Sequence, residues 1–176
     1  MPTYIINGEP VLSAGTIFCR VSYNPDKSTP VLEVLLQCRE DGHSWWEDLG
    51  GKGEQSDTTI SDIAAREGRE ESLGLISEVS IHSSITGVEP YIKNKYAVWI
   101  VFAPPEVAVI EDFGDYETLA DGVCVARYMG WTPVDCVFHN PKKVHPRIRF
   151  TTRIIRRLQE RVTQMHSQQR RRRLAQ

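Results

Sequence analysis

Apolar and β-forming residues gather in runs of strand length over the first part of the chain. One run covers residues 13–21, and a second, almost continuously apolar, covers residues 31–38. A continuous apolar run of this length is typical of a strand that is covered on both faces. The turn-forming residues 24–30 lie between the two runs and predict a hairpin. A short edge strand is predicted at residues 4–6.

Helical spacing of apolar residues first appears over residues 58–73. The apolar stripe of this predicted helix consists of Ile60, Ile63 and Ala64. Asp57 or Thr58 is the expected N-cap, because short polar side chains accept hydrogen bonds from the first free amides of a helix. Gly74 is the expected C′ residue, where left-handed backbone usually ends a helix.

Three further strands and a second long helix are predicted in the remaining chain. The strands cover residues 78–87, 96–103 and 123–131. The helix begins near Pro146 or Arg147, and most of its apolar residues recur at helical spacing. They are Ile148, Ile154, Ile155, Leu158, Val162 and Met165.

The charge is divided unevenly between the two ends of the chain. The sequence has 176 residues, which predicts one domain over residues 1–167 and a basic, disordered tail over residues 168–176. Residues 141–176 carry twelve Lys and Arg and one acid, whereas the remaining residues carry nine basic and twenty-two acidic side chains. A basic segment on an acidic body favours a polyanionic partner such as RNA, or docking onto the body itself.

The four cysteines lie in strand-like apolar runs and have no Cys-x-x-Cys spacing. They are Cys19, Cys38, Cys124 and Cys136. We expect buried thiols in a reducing compartment. No apolar run approaches the ~18 residues that a membrane span needs, and the N-terminus lacks a basic start followed by an apolar signal core. We therefore expect a soluble, cytoplasmic protein with no membrane contact.

Acidic residues are densest within the predicted helix over residues 58–73. Glu67, Glu70 and Glu71 would share one helix face, because residues three and four apart are neighbours. Three carboxylates on one face repel each other unless a cation lies among them. Mg²⁺, or alternatively Mn²⁺, prefers such oxygen ligands and keeps waters for a phosphate substrate. Arg66 lies four residues before Glu70 and can pair with it.

This stretch resembles the Nudix box, from Gly51 to Leu75. The box has a Gly, five residues, a Glu, seven residues, and then Arg-Glu-aliphatic-x-Glu-Glu-x-Gly-aliphatic. The matching residues are, in order, Gly51, Asp57, Arg66, Glu67, Glu70, Glu71, Gly74 and Leu75. Four departures occur: Asp57 replaces Glu, one extra residue precedes Arg66, Gly68 takes the aliphatic position, and one extra residue precedes Gly74.

The resemblance implies an α/β fold, a Nudix-like α/β/α sandwich with a mixed β-sheet. It implies a Mg²⁺-dependent pyrophosphohydrolase that cleaves a nucleoside diphosphate linked to another group, such as a nucleotide, a dinucleotide, a coenzyme A-like compound or capped RNA. The alternative is a catalytically weak module of the same fold that binds nucleotides or RNA. Two of the departures motivate that alternative, namely Gly68 at the aliphatic position and the longer stretch before Gly74, which includes Leu73.

The resemblance also assigns residues to the site. Glu67, Glu70 and Glu71 are expected to bind the metal, with any one of them able to act as general base. Arg66 would orient a glutamate. Gly50, Gly51 and Lys52 would shape the substrate side, and Asp57 would lie at the edge of the metal site. Trp46 or its neighbour Trp45 either lines the substrate pocket or packs in the core.

Two charged segments outside the box remain open. An acidic stretch after residue 105 could supply one more carboxylate or be merely solvated; the candidates are Glu111, Asp112, Asp115 and Glu117. The basic C-terminal helix and the tail with Arg170 to Arg173 could follow the phosphates of RNA, or be a solvated face. No aromatic pattern typical of RNA binding accompanies these arginines.

Overall fold

The structure is a computed structural model that describes residues 3–23, 29–39, 45–118, 124–139 and 141–174. The strands within these ranges are β1 Tyr4–Ile6, β2 Glu9–Val11, β3 Ser13–Tyr23, β4 Pro30–Arg39, β5 Trp46–Glu47, β6 Leu49–Lys52, β7 Tyr91–Lys93, β8 Tyr96–Phe102, β9 Tyr116–Thr118 and β10 Cys124–Pro133. The helices are α1 Ile60–Glu71, α2 Glu78–Ile85, α3 Pro105–Ala108, α4 Val134–Phe138 and α5 Thr152–Leu174. Two short 3₁₀ segments, Pro141–Lys143 and Arg149–Thr151, precede α5.

One mixed sheet organises the chain. Its strands lie in the order β7-β8-β3-β4-β10-β9, with β5 paired to β4 and β6 paired to β3. The β3 and β8 strands run parallel, and the other pairs are antiparallel. The predicted pairing of residues 13–21 with residues 31–38 is confirmed, since β3 and β4 pair antiparallel. The β1 and β2 strands form a separate hairpin.

Helices cover both faces of this sheet. Successive side chains of a strand point to opposite faces, and the two buried clusters follow that alternation. Phe18 packs in the cluster that includes α1 and α2, whereas Ile17 packs in the cluster that includes α4 and α5. The predicted α/β class with a mixed sheet is confirmed, and this layering is compatible with an α/β/α sandwich.

Residues 78–87 form a helix, so the strand predicted there is wrong. Ser77 caps α2 by accepting a hydrogen bond from the Ser80 amide. Ile81 and Ile85, four residues apart, are both buried on the side of α1. A methyl group at Gly68 of α1 would overlap the end of the Ile81 side chain, so the small residue permits the close packing of the two helices. Tertiary packing thus outweighs the β-propensity of Val79 and Ile81.

The C-terminal helix differs from its prediction at both ends. It starts at Thr152 rather than near Pro146, and Met165 of its predicted apolar stripe is exposed. The structure extends the helix to Leu174, where the sequence predicted disorder from residue 168. Gln and Arg are good helix formers, and cations are favoured at a helix C-terminus. No helix in the described ranges is both long and apolar enough to span a membrane.

The cysteines are not uniformly buried, contrary to the prediction. Cys19 is buried, and burial raises the pKa of its thiol to about 12. Cys38 is half-buried and Cys136 is exposed. The side chain of Cys124 lies outside the described set. Cys136 lies on α4 rather than in a strand and faces outward, whereas Val134 and Val137 of the same helix face the core.

The α1 helix is capped one residue later than predicted. Thr59 is the N-cap and forms a capping box with Asp62, in which each side chain accepts a hydrogen bond from the other residue's amide. At the other end Leu73, with φ +55°, occupies the left-handed C′ position that was predicted for Gly74. The Gly74 amide bonds to the Arg69 carbonyl at 2.8 Å, which closes a Schellman-type turn. The extra residue before Gly74 therefore places a leucine in a conformation that favours glycine.

We predict that Leu73→Gly leaves the protein about 1 kcal/mol more stable than Leu75→Gly, because only Leu73 has left-handed backbone. Leu73 and Leu75 are about equally exposed, so both substitutions lose a similar apolar side chain. Urea unfolding of the two variants measures the difference. Equal stabilities would show that the Leu73 backbone is not strained.

Candidate functional site

Arg66 is the centre of the polar cluster on α1. Its Nε and Nη2 atoms donate to the two carboxylate oxygens of Asp57, each at 3.1 Å. Its Nη1 atom donates to Glu67 at 3.0 Å and to Glu70 at 3.1 Å, and Nη2 also donates to the Lys52 carbonyl at 2.8 Å. One guanidinium therefore draws Glu67 and Glu70 together and fixes the helix to β6.

The Glu67 carboxylate lies directly against Gly51 in β6. A methyl group at Gly51 would overlap the carboxylate carbon and both of its oxygens. The Glu67 side chain is only 16% exposed. Burial raises the pKa of Glu67, the charge of Arg66 opposes that shift, and the charge of Glu70 adds to it. The glycine thus makes room for a partly desolvated carboxylate.

Glu71 points into the sheet and away from solvent. One of its oxygens accepts a hydrogen bond from the Gly50 amide at 2.7 Å, and the other accepts one from the Gln37 side-chain amide at 2.6 Å. The residue is 4% exposed. Gln37 in turn accepts from Arg127 at 3.3 Å. Glu71 therefore links α1 to β6 and β4.

Asp57 is buried and holds the arginine in place. Besides its two bonds to Arg66, it accepts a hydrogen bond from the Glu54 amide at 2.7 Å. Its backbone carbonyl accepts from the hydroxyl of Tyr4 at 2.7 Å. The carbonyl of Lys52 joins this cluster, whereas its exposed side chain alternates with Gly51 and faces away from Glu67. The structure thus places Asp57 behind Arg66, where its carboxylate is engaged by the guanidinium.

A second polar cluster lies on the opposite face of β6, and sequence reasoning missed it. The Tyr96 hydroxyl donates to Asp48 at 2.5 Å, and Arg147 donates to the same carboxylate at 3.0 Å. Burial raises the pKa of Tyr96 well above its ordinary value, and the charge of Asp48 adds to the effect. A methyl group at Gly50 would overlap the Tyr96 hydroxyl. Asp48 lies just before Gly50 in sequence, but Tyr96 and Arg147 are remote from it. No local sequence pattern therefore indicated that the three residues meet.

Trp46 lies on the other side of the sheet from the carboxylates. Its ring packs edge-on against Tyr128, with centroids 5.6 Å apart, among the residues covered by α5. Trp46 pairs with Cys38 of β4, so these two side chains lie on the same side of the sheet. Gln37, the preceding residue of β4, points to the other side and bonds Glu71. Of the two alternatives for Trp46, the structure supports core packing.

The late acidic segment does not join the cluster around Arg66 in the described structure. Glu111 pairs with Arg20 at 2.5 Å. Arg20 lies in β3, five residues beyond Gly15, which is the residue that pairs with Gly50 of β6. Asp112 accepts from the Gly114 amide at 2.9 Å, and the Asp115 carbonyl accepts from the Arg127 amide. The Glu117 side chain lies outside the described set. Asp115 lines a separate cavity of about 350 Å³ beside Tyr116, Arg127 and Tyr128.

The three predicted metal ligands are divided between two environments. Glu67 and Glu70 share one nitrogen of Arg66, while Glu71 is bonded to Gly50 and Gln37. Among the described residues, no group of three or more His, Cys, Asp or Glu side chains is arranged to hold a metal ion. The geometry instead presents a pair of carboxylates, of which Glu70 is 48% exposed.

Comparison with known proteins adds no family to these observations. No family model matches the chain, and no curated protein matches it.

We predict that Gly51→Ala and Glu67→Ala are energetically coupled. Alanine at residue 51 should cost about 1–3 kcal/mol when Glu67 is present, because its methyl group displaces a buried carboxylate. In the Glu67→Ala background that cost should largely disappear. A double-mutant cycle by urea unfolding measures the coupling, and additive effects would contradict the predicted contact.

Arg66→Ala is expected to destabilise the protein by about 3–5 kcal/mol, because it leaves the buried Asp57 carboxylate without its cation. Arg69→Ala is the matched control on the same helix. Arg69 is half-exposed and pairs only with the half-exposed Glu78 among the described contacts, so its loss should cost under about 1 kcal/mol. Similar losses in the two variants, measured by thermal unfolding, would show that Arg66 does not hold the cluster.

Proposed function

We propose that this protein is a cytoplasmic, Mg²⁺-dependent pyrophosphohydrolase that cleaves a nucleoside diphosphate linked to another group. The observation that carries the proposal is the pair Glu67 and Glu70, held by Arg66 on one face of α1 beside Gly51. These residues are the part of the sequence that resembles the Nudix box.

The donor chemistry of this pair fits Mg²⁺. The ion prefers oxygen ligands, and it is usually held by one or two carboxylates while its other positions keep water or take substrate phosphates. Glu67 and Glu70 offer two such carboxylates, and Glu70 leaves one side open to solvent. When bound, Mg²⁺ would neutralise pyrophosphate oxygens and lower the pKa of a coordinated water.

The neighbouring residues would fix the position of the pair. Arg66 orients both carboxylates and is itself held by Asp57 and the Lys52 carbonyl. The Glu71 carboxylate accepts a hydrogen bond from the Gly50 amide. We assign Glu71 the role of positioning β6 beside Glu67 and Glu70. Such fixed placement is the main contribution that a protein makes to phosphoryl chemistry.

Proton transfer falls most naturally to Glu70. A water that attacks phosphorus must lose a proton to a base within hydrogen-bond reach. Of the three glutamates, Glu70 is the most exposed, so substrate and water reach it most easily.

The second candidate is a nucleotide- or RNA-binding module with weak or no catalysis. It is favoured by one observation, the engagement of Glu71 with Gly50 and Gln37, which leaves two rather than three carboxylates for a metal.

The deciding experiment is a hydrolysis panel with Mg²⁺, read by product mass, that includes free nucleotides, dinucleotide cofactors, coenzyme A and capped RNA. We expect turnover of at least one compound, and Glu70→Gln should lower it by about 10²-fold or more, because a metal-binding carboxylate and base is lost. Glu78→Gln, an exposed carboxylate on α2, is the control and should keep full turnover. Binding without turnover, unchanged by Glu70→Gln, would favour the binding module instead.

A further inference from the structure

The solvent-facing side of α5 carries a row of arginines. Arg153, Arg157 and Arg161 recur every four residues and are all exposed. Residues at this spacing share one face of a helix. The opposite side is anchored to the body by the buried Ile155 and by Gln159, which accepts a hydrogen bond from the Leu32 amide at 2.7 Å.

Past His166 the helix leaves the body and carries more arginines. From Ser167 to Arg172 every described side chain is exposed, and this stretch includes Arg170 and Arg171. Besides Arg156, which lines the cavity between α4 and α5, six exposed arginines thus extend over ~28 Å of helix, at 1.5 Å per residue. They are Arg153, Arg157, Arg161, Arg170, Arg171 and Arg172.

Little in the described structure neutralises this charge. The sequence of α5 contains eight arginines and one acid, Glu160. Glu160 lines the cavity between α4 and α5 together with Asp135 and Arg156, at the edge of the row. Among the described contacts, Arg153, Arg157 and Arg161 form no salt bridge. Like charges one turn apart destabilise a helix, so a polyanion along the row would relieve their repulsion.

The apolar side of α5 argues against a membrane as that polyanion. A helix that lies on a membrane buries its apolar face among the lipids. In α5 the apolar residues Ile155, Leu158 and Val162 already pack against the sheet. The surface that remains is charged without a free apolar face, which suits a phosphate backbone rather than a bilayer.

An aromatic pair adjoins Arg170 in the folded structure, on the side of α5 that Gln159 anchors and opposite the row of Arg153, Arg157 and Arg161. Tyr23, at the end of β3, lies 5.9 Å from His166 between ring centroids and is 61% exposed. Arg170 follows His166 by one helical turn, so it lies on the same side of α5. An exposed aromatic ring beside a basic surface is a platform on which a nucleic-acid base can stack.

We propose that α5 and Tyr23 form a binding surface for single-stranded nucleic acid, contacted through its phosphates. The arginines recognise the backbone without reading sequence. A flexible strand that continues from the row around the exposed stretch of α5 past His166 reaches Tyr23, on which a base stacks. The surface belongs to the helix that covers the sheet face opposite α1, so it is separate from the Glu67 and Glu70 pair. The proposed nucleic-acid binding can therefore be tested independently of the proposed hydrolysis.

The test is the salt dependence of binding to a 20-nucleotide RNA and to DNA of the same sequence, by fluorescence anisotropy with the full chain. Six phosphate contacts predict a slope of log K against log salt of about −4 for a single strand. RNA and DNA should bind alike. Arg153→Gln, Arg157→Gln and Arg161→Gln together should reduce the slope to about −2 and the affinity about 100-fold at 0.1 M salt.

The matched control removes three exposed positive charges elsewhere, by Arg69→Gln, Lys93→Gln and Lys95→Gln. It should change affinity by less than threefold. An equal loss in both triple variants would overturn the proposal, because it would show attraction to net charge rather than to α5. So would binding to phosphatidylserine vesicles with none to RNA or DNA.

Tyr23→Ala tests the stacking contact separately. It should weaken binding about tenfold while leaving the salt slope unchanged, because stacking releases no counterions. An unchanged affinity would remove Tyr23 from the surface. Circular dichroism of each variant checks that the fold is retained.

Discussion

The ion pairs of Arg66 are the interaction on which the polar side of α1 depends. Four carboxylates, those of Glu54, Asp57, Glu67 and Glu70, lie within 4 Å of this one guanidinium. A guanidinium presents five donors in a rigid plane, so it can satisfy several oxygens at once, which the single ammonium of lysine cannot do in the same geometry. Its bond to the Lys52 carbonyl adds a neutral anchor on β6. The helix and the strand are thereby held together through charge as well as through apolar packing.

The two glycines of β6 explain how polar groups approach the sheet so closely from both sides. Neighbouring strand residues face opposite ways, so Gly51 leaves space for Glu67 on the α1 side and Gly50 leaves space for Tyr96 on the other. Neither glycine has left-handed backbone, and their value lies in the absent side chain. Glu71 then bonds the Gly50 amide from the α1 side, while Asp48 and Arg147 pair on the other. A single short strand therefore joins two charged clusters that are distant in sequence.

The helices on the two faces have opposite electrostatic character. The α1 face gathers carboxylates around one arginine, whereas α5 carries eight arginines and one acid. The sheet keeps these charges apart, so they do not cancel within the fold. The first surface is acidic and the second basic, and the overall charge of −2 conceals this division.

Local patterns in the sequence determined the main strands, the hairpin of β3 and β4, the α1 helix and the cluster of Arg66 with Glu67 and Glu70. These depend on the spacing of apolar residues and on neighbours three and four apart, which the chain carries wherever it folds. Only the tertiary structure decided that residues 78–87 form a helix against Gly68, that Glu71 points into the sheet, and that Asp48 meets Tyr96 and Arg147. Each of these depends on contacts between residues that are remote in sequence or on which face is buried, and a linear pattern of residue types does not encode either.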